Sequence, residues 1–309
     1  MLVKNTYICL FLFLFSCFSC KEKAESLSIC FTGDVLLDRG VRQEIERNGS
    51  LDSLFVGVHT LFNQSDAVVI NLECPITNIS SPINKKYIFR ANAEWAKDLK
   101  RNGITHTALA NNHTIDQGRE GLIDTYNNLS NADIITIGYG GNQLQACEPT
   151  IVKKGKIEVA LFNSVLVPLE NWVCLDDEPG ICQASSDEIS KRIIDFKQTN
   201  PSSYVVVLLH WGAEYHQTSD LIQRKGARKL IDSGANAIIG HHPHVIQEEE
   251  FYKGCPIFYS LGNFIFDQTK PHTDEALVVN LIFNNKKMDI EKRIAKIERC
   301  KPTFQKHPD

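Results

Sequence analysis

Residues 204–210 read YVVVLLH, an apolar run that ends on a histidine. Such a run packs inside a sheet, where a ligating or charged group would cost free energy, but its carboxyl end opens onto a crevice. Four more runs end the same way. They are LSICFT (27–32) before Gly33-Asp34, AVVINL (67–72) before Glu73, ITHTALA (104–110) before Asn111-Asn112-His113, and NAIIG (236–240) before His241-His242-Pro243-His244. An Asp, a Glu, an Asn and up to five His delivered to strand ends describe an oxygen- and nitrogen-rich site for hard or borderline divalent cations.

The strand ends differ in what they offer. Pro243 pushes His242 toward an extended backbone, and in an extended segment His242 and His244 face one way while His241 faces the other. That gives two imidazoles for one centre. His210 emerges from a buried strand, and Gly212 behind it permits a tight turn or a close backbone approach. Glu214 is either the carboxylate that fixes an imidazole tautomer or an exposed acid. The amide oxygen of Asn112 is a neutral ligand, and His113 beside it can give a proton to a departing oxygen. Asp34 and Glu73 are the anionic ligands that a pair of cations requires, although carboxylates after strands also serve as helix caps.

Strands and helices alternate through most of the chain, which predicts an α/β architecture. Helices are expected over 41–49, 94–103, 119–130 with Asp116 as its N-cap, 185–198 and 219–234. Further strands are expected in DIITIG (133–138), KIEVALFN (156–163) and PIFYSLG (256–262), with a closing hairpin turned by Asn284-Asn285. About ten strands exceed what one open sheet usually carries, so two packed sheets with helices outside are expected. No low-complexity linker or internal repeat follows residue 26.

The 309 residues are 43% hydrophobic with a formal charge of −4, enough for a substantial core and without the basic, aromatic-interleaved run of a nucleic-acid binder. Residues 1–20 stand apart: Lys4 precedes ICLFLFLFSCFSC, about a dozen apolar residues and too short to span a bilayer comfortably. The placement of Leu, Ser and Cys up to Cys17, repeated more loosely at Cys20, is that of a bacterial lipoprotein signal. Residues 21–26 then form a tether, and 27–309 one domain. An ordinary cleaved signal or a membrane anchor are the alternatives. Seven cysteines follow the signal, too few and too spread for a disulfide scaffold. Cys174 and Cys182 bracket a polar loop and could form one bridge outside the cytoplasm; otherwise the cysteines read as small buried residues, Cys74 included.

Six blocks carry a resemblance: Gly33 to Arg39, Asn71 to Thr77, Ala110 to Gly118, His210 to Tyr215, Gly240 to Val245, and Tyr259 to Phe264. Together they resemble the poly-γ-glutamate capsule biosynthesis protein family (CapA), which is itself similar to the calcineurin-like metallophosphatases. The resemblance implies a metallophosphatase-like four-layer α/β/β/α sandwich with two mixed β-sheets and a dinuclear site. Carried over by residue, it implies Asp34, Glu73, Asn112, His210, His242 and His244 as metal ligands and His113 as the proton donor. Arg39 or Asn263 would hold substrate, with Asn111 and His241 in supporting places. Two departures stand out. Position 36 is Leu where the wider superfamily usually has His, and Glu73 replaces the usual bridging Asp. Asp38 also stands where the family often has Gly.

These features predict an exported, lipid-anchored protein of the bacterial cell envelope, with membrane proteins of capsule assembly as partners. Two divalent ions (Mn, Fe or Zn) about 3.5–4 Å apart would hold a bridging hydroxide against an anionic polymer or phosphoester. The alternative is a non-catalytic polymer-export or assembly protein that keeps the fold. A secreted nucleotidase is disfavoured, because no aromatic-rich substrate domain follows the metal motifs.

Overall fold

A computed structural model describes residues 25–304. The expected export signal, with Cys17 and Cys20, and most of the tether lie outside the described residues. In chain order the strands of the first half are β1 (Leu27–Val35), β2 (Ala67–Leu72), β3 (His106–Ala108), β4 (Ile135–Ile137), β5 (Tyr139–Gly140), β6 (Thr150–Lys154), β7 (Ile157–Val165) and β8 (Gly180–Ile181). The second half adds β9 (Tyr204–His210), β10 (Ala237–His241), β11 (Glu249–Tyr252), β12 (Cys255–Phe258), β13 (Asn263–Ile265), β14 (Glu275–Phe283), β15 (Met288–Glu298) and β16 (Lys301–Phe304). The helices are α1 (Arg39–Asn48), α2 (His59–Gln64), α3 (Trp95–Arg101), α4 (Gly118–Asn131), α5 (Gln143–Ala146), α6 (Ser186–Thr199) and α7 (Leu221–Asp232).

The first sheet runs β16-β15-β14-β1-β2-β3-β4, with β13 beside the end of β1; the second runs β11-β12-β10-β9-β7-β6. Both are mixed. β1 to β4 are parallel to one another, as are β7, β9, β10 and β12, while antiparallel strands complete the edges. The hairpin expected at Asn284-Asn285 forms between β14 and β15.

Side-chain alternation explains the layering. On β9, Val206 and Leu208 join Ile29 and Phe31 of β1 and Val69 of β2 in a core between the sheets. Val205, Val207 and Leu209 point the other way and pack with Ile189, Ile193 and Leu230 of the helices. Period-2 side chains buried on both faces are what an uninterrupted apolar run encodes. The fold is a four-layer α/β/β/α sandwich.

The same alternation aims the site. His210, Asn71 and His241 share the inward parity of Leu208, Val69 and Ile239, so they emerge between the sheets at their carboxyl ends. Asp34 needs an extra device, since its parity is that of outward-facing Cys30. A bulge supplies it: Phe31 pairs with Val69 but Asp34 pairs with Asn71, three steps on β1 against two on β2. One inserted residue moves the side chain to the other face. Gly33 lies in this bulge, and a Cβ there would stand 2.0 Å from the Gly262 carbonyl oxygen, so β13 approaches only because the residue is glycine. His241 closes the same end across the sheets, with Nε2 3.0 Å from the Thr32 carbonyl oxygen.

Two expectations are corrected. Asp116 does not cap α4; Gln117 occupies that place without a side-chain cap, and Asp116 is buried in contacts with Lys85, Phe89 and His113. Cys182 bridges Cys147 rather than Cys174, with Cα atoms 4.8 Å apart. The short antiparallel pairing of β5 with β8 delivers Cys182 beside the end of α5, while Cys174 stays exposed on the loop.

Burial pulls the imidazole of His106, inside β3, down from 6.5 to about 4, and Lys100 adds to this. Between those values the unfolded chain binds a proton that the folded chain refuses, so stability falls as pH drops from 6.5 toward 4. The loss is roughly 3 kcal/mol. Urea unfolding at pH 7 and pH 4.5 is expected to show a smaller difference for His106→Gln than for the native chain. An equal difference would remove His106 from the account.

Candidate metal centre

Glu73 follows β2 and is completely buried, yet neither carboxylate oxygen has a hydrogen-bond partner. Its nearest cationic or ring nitrogens are His210 Nε2 at 3.7 Å and His244 Nε2 at 3.8 Å, too long for hydrogen bonds. Ligand atoms of Glu73, His242 and His244 lie within 4.8 Å of one another. Asp34 sits alongside. Its Oδ1 accepts from Asn71 Nδ2 at 2.8 Å, and its Oδ2 lies 3.2 Å from His244 Nδ1. His210 Nε2 stands 2.9 Å from Asn112 Oδ1 and 3.1 Å from His242 Nδ1.

The histidine pair reaches this position by a different backbone than expected. His242 and His244 are not extended; their φ angles are +96° and +59°. Each left-handed residue of this kind costs of order 1–3 kcal/mol and persists only where its surroundings over-determine it. Here the Asp34 carboxylate accepts from the His242 backbone amide at 3.3 Å. The strained turn brings the two ring centroids to 5.9 Å from one another.

The electrostatics are those of a site short of positive charge. Burial raises the Glu73 carboxyl well above its ordinary range, helped by Asp34 and opposed by His244. Burial alone would lower His244, but Glu73 and then Asp34 outweigh it and lift the ring to about 9. Burial and the neighbouring imidazoles push His210 far down, and His242 falls to about 4. Burial would raise Asp34, but His244, His241 and Asn71 together outweigh it and hold the carboxyl below its ordinary value. Two neutral imidazoles, His210 and His242, facing an unpartnered carboxylate suit a divalent cation that would take the place of the His244 proton, so the residues fit the metal that the resemblance implies.

His113 lies beside the centre. Its Nδ1 is 2.8 Å from Asp116 Oδ2, whose other oxygen accepts from Lys85 Nζ at 2.9 Å. Lys85 and Asp116 are both buried, and the Phe89 ring packs on the imidazole at 4.3 Å between centroids. Burial lowers the pKa of His113, against the pull of Asp116. Asn111 does not enter the centre. Its Oδ1 accepts from the backbone of His113 and Thr114, and its amide donates to the Leu72 carbonyl, fixing the loop that carries Asn112 and His113.

The remaining expected residues divide. Asn263 Oδ1 is 3.0 Å from His244 Nδ1 and orients that ring. His241 is spent on the Thr32 carbonyl. Glu214 is exposed and lines a cleft of about 380 Å³ with Arg39, His113, Tyr215, His244 and Lys270. Arg39 stands in that cleft ion-paired to Asp267, so it is not a free cation. Leu36 is buried in the helix-side core and leaves no ligand in its place. Asp38 caps α1 through Arg39 N and also holds Arg90 N, tying the helix start to the 74–89 loop. Cys74 is buried and accepts from Leu37 N, away from the centre.

Three contributors escape the sequence reading: Lys85, Asp116 as the partner of His113, and Asn71. Only Asn71 carries a signal, a polar residue inside the apolar AVVINL run. It donates to Asp34 and lies 3.3 Å from His210 Nδ1, holding two expected ligands together.

Comparison with known proteins supplies the family. The profile of the bacterial capsule synthesis protein PGA_cap matches residues 28–268. The PGA biosynthesis protein CapA of Bacillus subtilis is 35% identical over 257 residues, 82% of this chain and 67% of that protein. The capsule biosynthesis protein CapA of Bacillus anthracis is 32% identical over 82% of this chain and 63% of its own length. This chain thus spans about two thirds of these relatives. Among solved structures, a Staphylococcus aureus protein named as a candidate 5′-nucleotidase superposes with a TM-score of 0.56 at 13% identity, over 92% of this chain and 55% of that one. The Haemophilus influenzae NAD nucleotidase gives 0.52 at 12% identity, over 92% and 61%. These two share the metallophosphatase-type fold. The chain belongs to the bacterial capsule synthesis protein PGA_cap family, the CapA-like proteins of capsule and polyglutamate biosynthesis.

Proposed function

We propose that this protein is an exported, lipid-anchored member of the capsule-forming envelope machinery, and that its cleft hydrolyses a phosphoester or an anionic polymer at a two-cation site. The observation that carries this reading is the buried, unpartnered carboxylate of Glu73 among His210, His242 and His244. Asp34, Glu73, Asn112, His210, His242 and His244 would hold the cations, which supply Lewis acidity and an activated nucleophile when bound. His113 presents a proton to the leaving oxygen, and Asp116, itself held by Lys85, fixes the orientation of the ring. Asn71 and Asn263 keep ligand side chains in place. The position of the cleft directly outside His244 and His113 supports substrate entry there.

Elemental analysis of the purified protein, followed by assay on bis-p-nitrophenyl phosphate with added Mn²⁺, tests the proposal. Bound metal and turnover are expected in the native chain, and both should be lost in His242→Ala and Asp34→Asn. Full activity in either variant would refute the assignment. One observation favours a second reading, a non-catalytic assembly protein: Leu36 lies in the core where the superfamily usually places a ligand. Metal without turnover on phosphoesters and γ-glutamyl polymers would select it.

A further inference from the structure

We propose that Lys270 anchors a second anionic group of an extended substrate, a carboxylate or phosphate beyond the group being hydrolysed. The inference takes from the proposed hydrolase only which end of the cleft holds the scissile group.

Besides its histidines, the cleft has two basic side chains, Arg39 and Lys270. Arg39 is already matched. Its guanidinium pairs with Asp267 and lies between the rings of Phe89 and Phe266, 4.8 and 5.5 Å from their centroids. Lys270 enters no ion pair among the described residues. Its ammonium instead stands 3.5 Å over the centroid of the Tyr215 ring. A cation–π contact holds an ammonium in place without cancelling its charge. The lysine therefore keeps its donors for an incoming anion, which it meets as a point charge.

The Tyr215 ring and the Lys270 backbone are anchored, while the lysine side chain is exposed. Tyr215 donates its backbone amide to the Pro243 carbonyl at 2.8 Å, and its hydroxyl accepts from Gln268 Nε2 at 3.1 Å. The Lys270 carbonyl accepts from Thr273 N at 3.2 Å and Thr273 Oγ1 at 2.7 Å, closing a turn. Side-chain ordering on binding is thereby reduced. The Tyr215 ring lies 6.1 Å from that of His244, so ammonium, tyrosine and histidine lead in succession from the rim to the metal centre. Glu214 also faces the cleft and acts on Tyr215 as well as on His242 and His244, yet no carboxylate among the described residues stands within ion-pair distance of Lys270. An anion held there belongs to the same molecule as the group at the centre only if the substrate carries at least two separate anionic groups, spaced to reach both places. A polyanionic chain satisfies this, whereas a small monoester does not.

Calorimetric titration tests the assignment with two probes, a hexamer of γ-linked glutamate and tripolyphosphate. Each is titrated in EDTA, and the hexamer also with Mn²⁺ present. Lys270→Gln is expected to weaken binding about tenfold and to flatten its dependence on salt, while Lys270→Arg retains most of the affinity. Tyr215→Leu, which removes the ring and leaves the lysine, should weaken binding several-fold. A loss with both probes supports a general anion anchor, and a loss with the hexamer alone supports a carboxylate chain. Native affinity of Lys270→Gln for both probes would overturn the inference. Because the readout in EDTA is binding, a failure to find turnover bears on the hydrolase and not on Lys270.

Discussion

Glu73→Gln is expected to raise the melting temperature of the metal-free protein and to abolish the stabilisation that added Mn²⁺ gives the native chain. The two effects have opposite signs and one cause. Without a cation, the carboxylate is buried and unpartnered, and an unsatisfied buried group costs about 1–3 kcal/mol. Burial raises its folded pKa above the unfolded value, so the folded chain binds the proton more tightly. Stability is then fully present at low pH and declines as pH rises toward the folded pKa. A glutamine of the same shape carries no charge to desolvate, and its amide can donate toward His210 or His244. The gain should therefore grow with pH, reaching a few degrees at about 2–4 °C per kcal/mol. With a cation at a hundred times its dissociation constant, the native chain gains about 2.7 kcal/mol, and the variant should gain almost none. Scanning calorimetry with EDTA and with Mn²⁺ separates the arms. A variant that is less stable without metal and still stabilised by it would show that Glu73 is not a ligand.

The strand ends are legible in sequence because an apolar run has only one affordable place for a ligating group. His210 after YVVVLL and Glu73 after AVVINL follow directly from that rule, and the two-sided burial of those runs yields the layered sandwich. What escapes is geometry set by neighbours. The inward turn of Asp34 depends on a bulge between Phe31 and Asp34, which local pattern does not announce. The convergence of His242 and His244 was expected from extended alternation, but a left-handed backbone achieves it. Lys85 sits in a loop without periodicity and acquires its place only when that loop folds over Asp116. Cys182 likewise finds Cys147 through the β5–β8 pairing, not through the nearer Cys174.

His113→Gln should leave metal content unchanged and lower turnover of an alkyl phosphodiester by about 10²–10⁴-fold, the usual contribution of a positioned general acid. The separation from Glu73→Gln follows from contacts. The Nδ1 of His113 is committed to Asp116, and the ring lines the cleft rather than joining the cluster of Glu73, His242 and His244. A glutamine there can keep a hydrogen bond to Asp116 but cannot deliver a proton at neutral pH. The size of the defect must then depend on the leaving group. An alkoxide needs the proton, whereas 2,4-dinitrophenolate departs without one, so the variant should approach native turnover on the dinitrophenyl ester. Asp116→Asn tests the positioning layer beneath. It removes the charge that favours the protonated ring while keeping the side chain's shape, and should show the same leaving-group dependence in milder form. Equal losses for both leaving groups would assign His113 to substrate binding or to loop structure, and the proton would have to come from elsewhere.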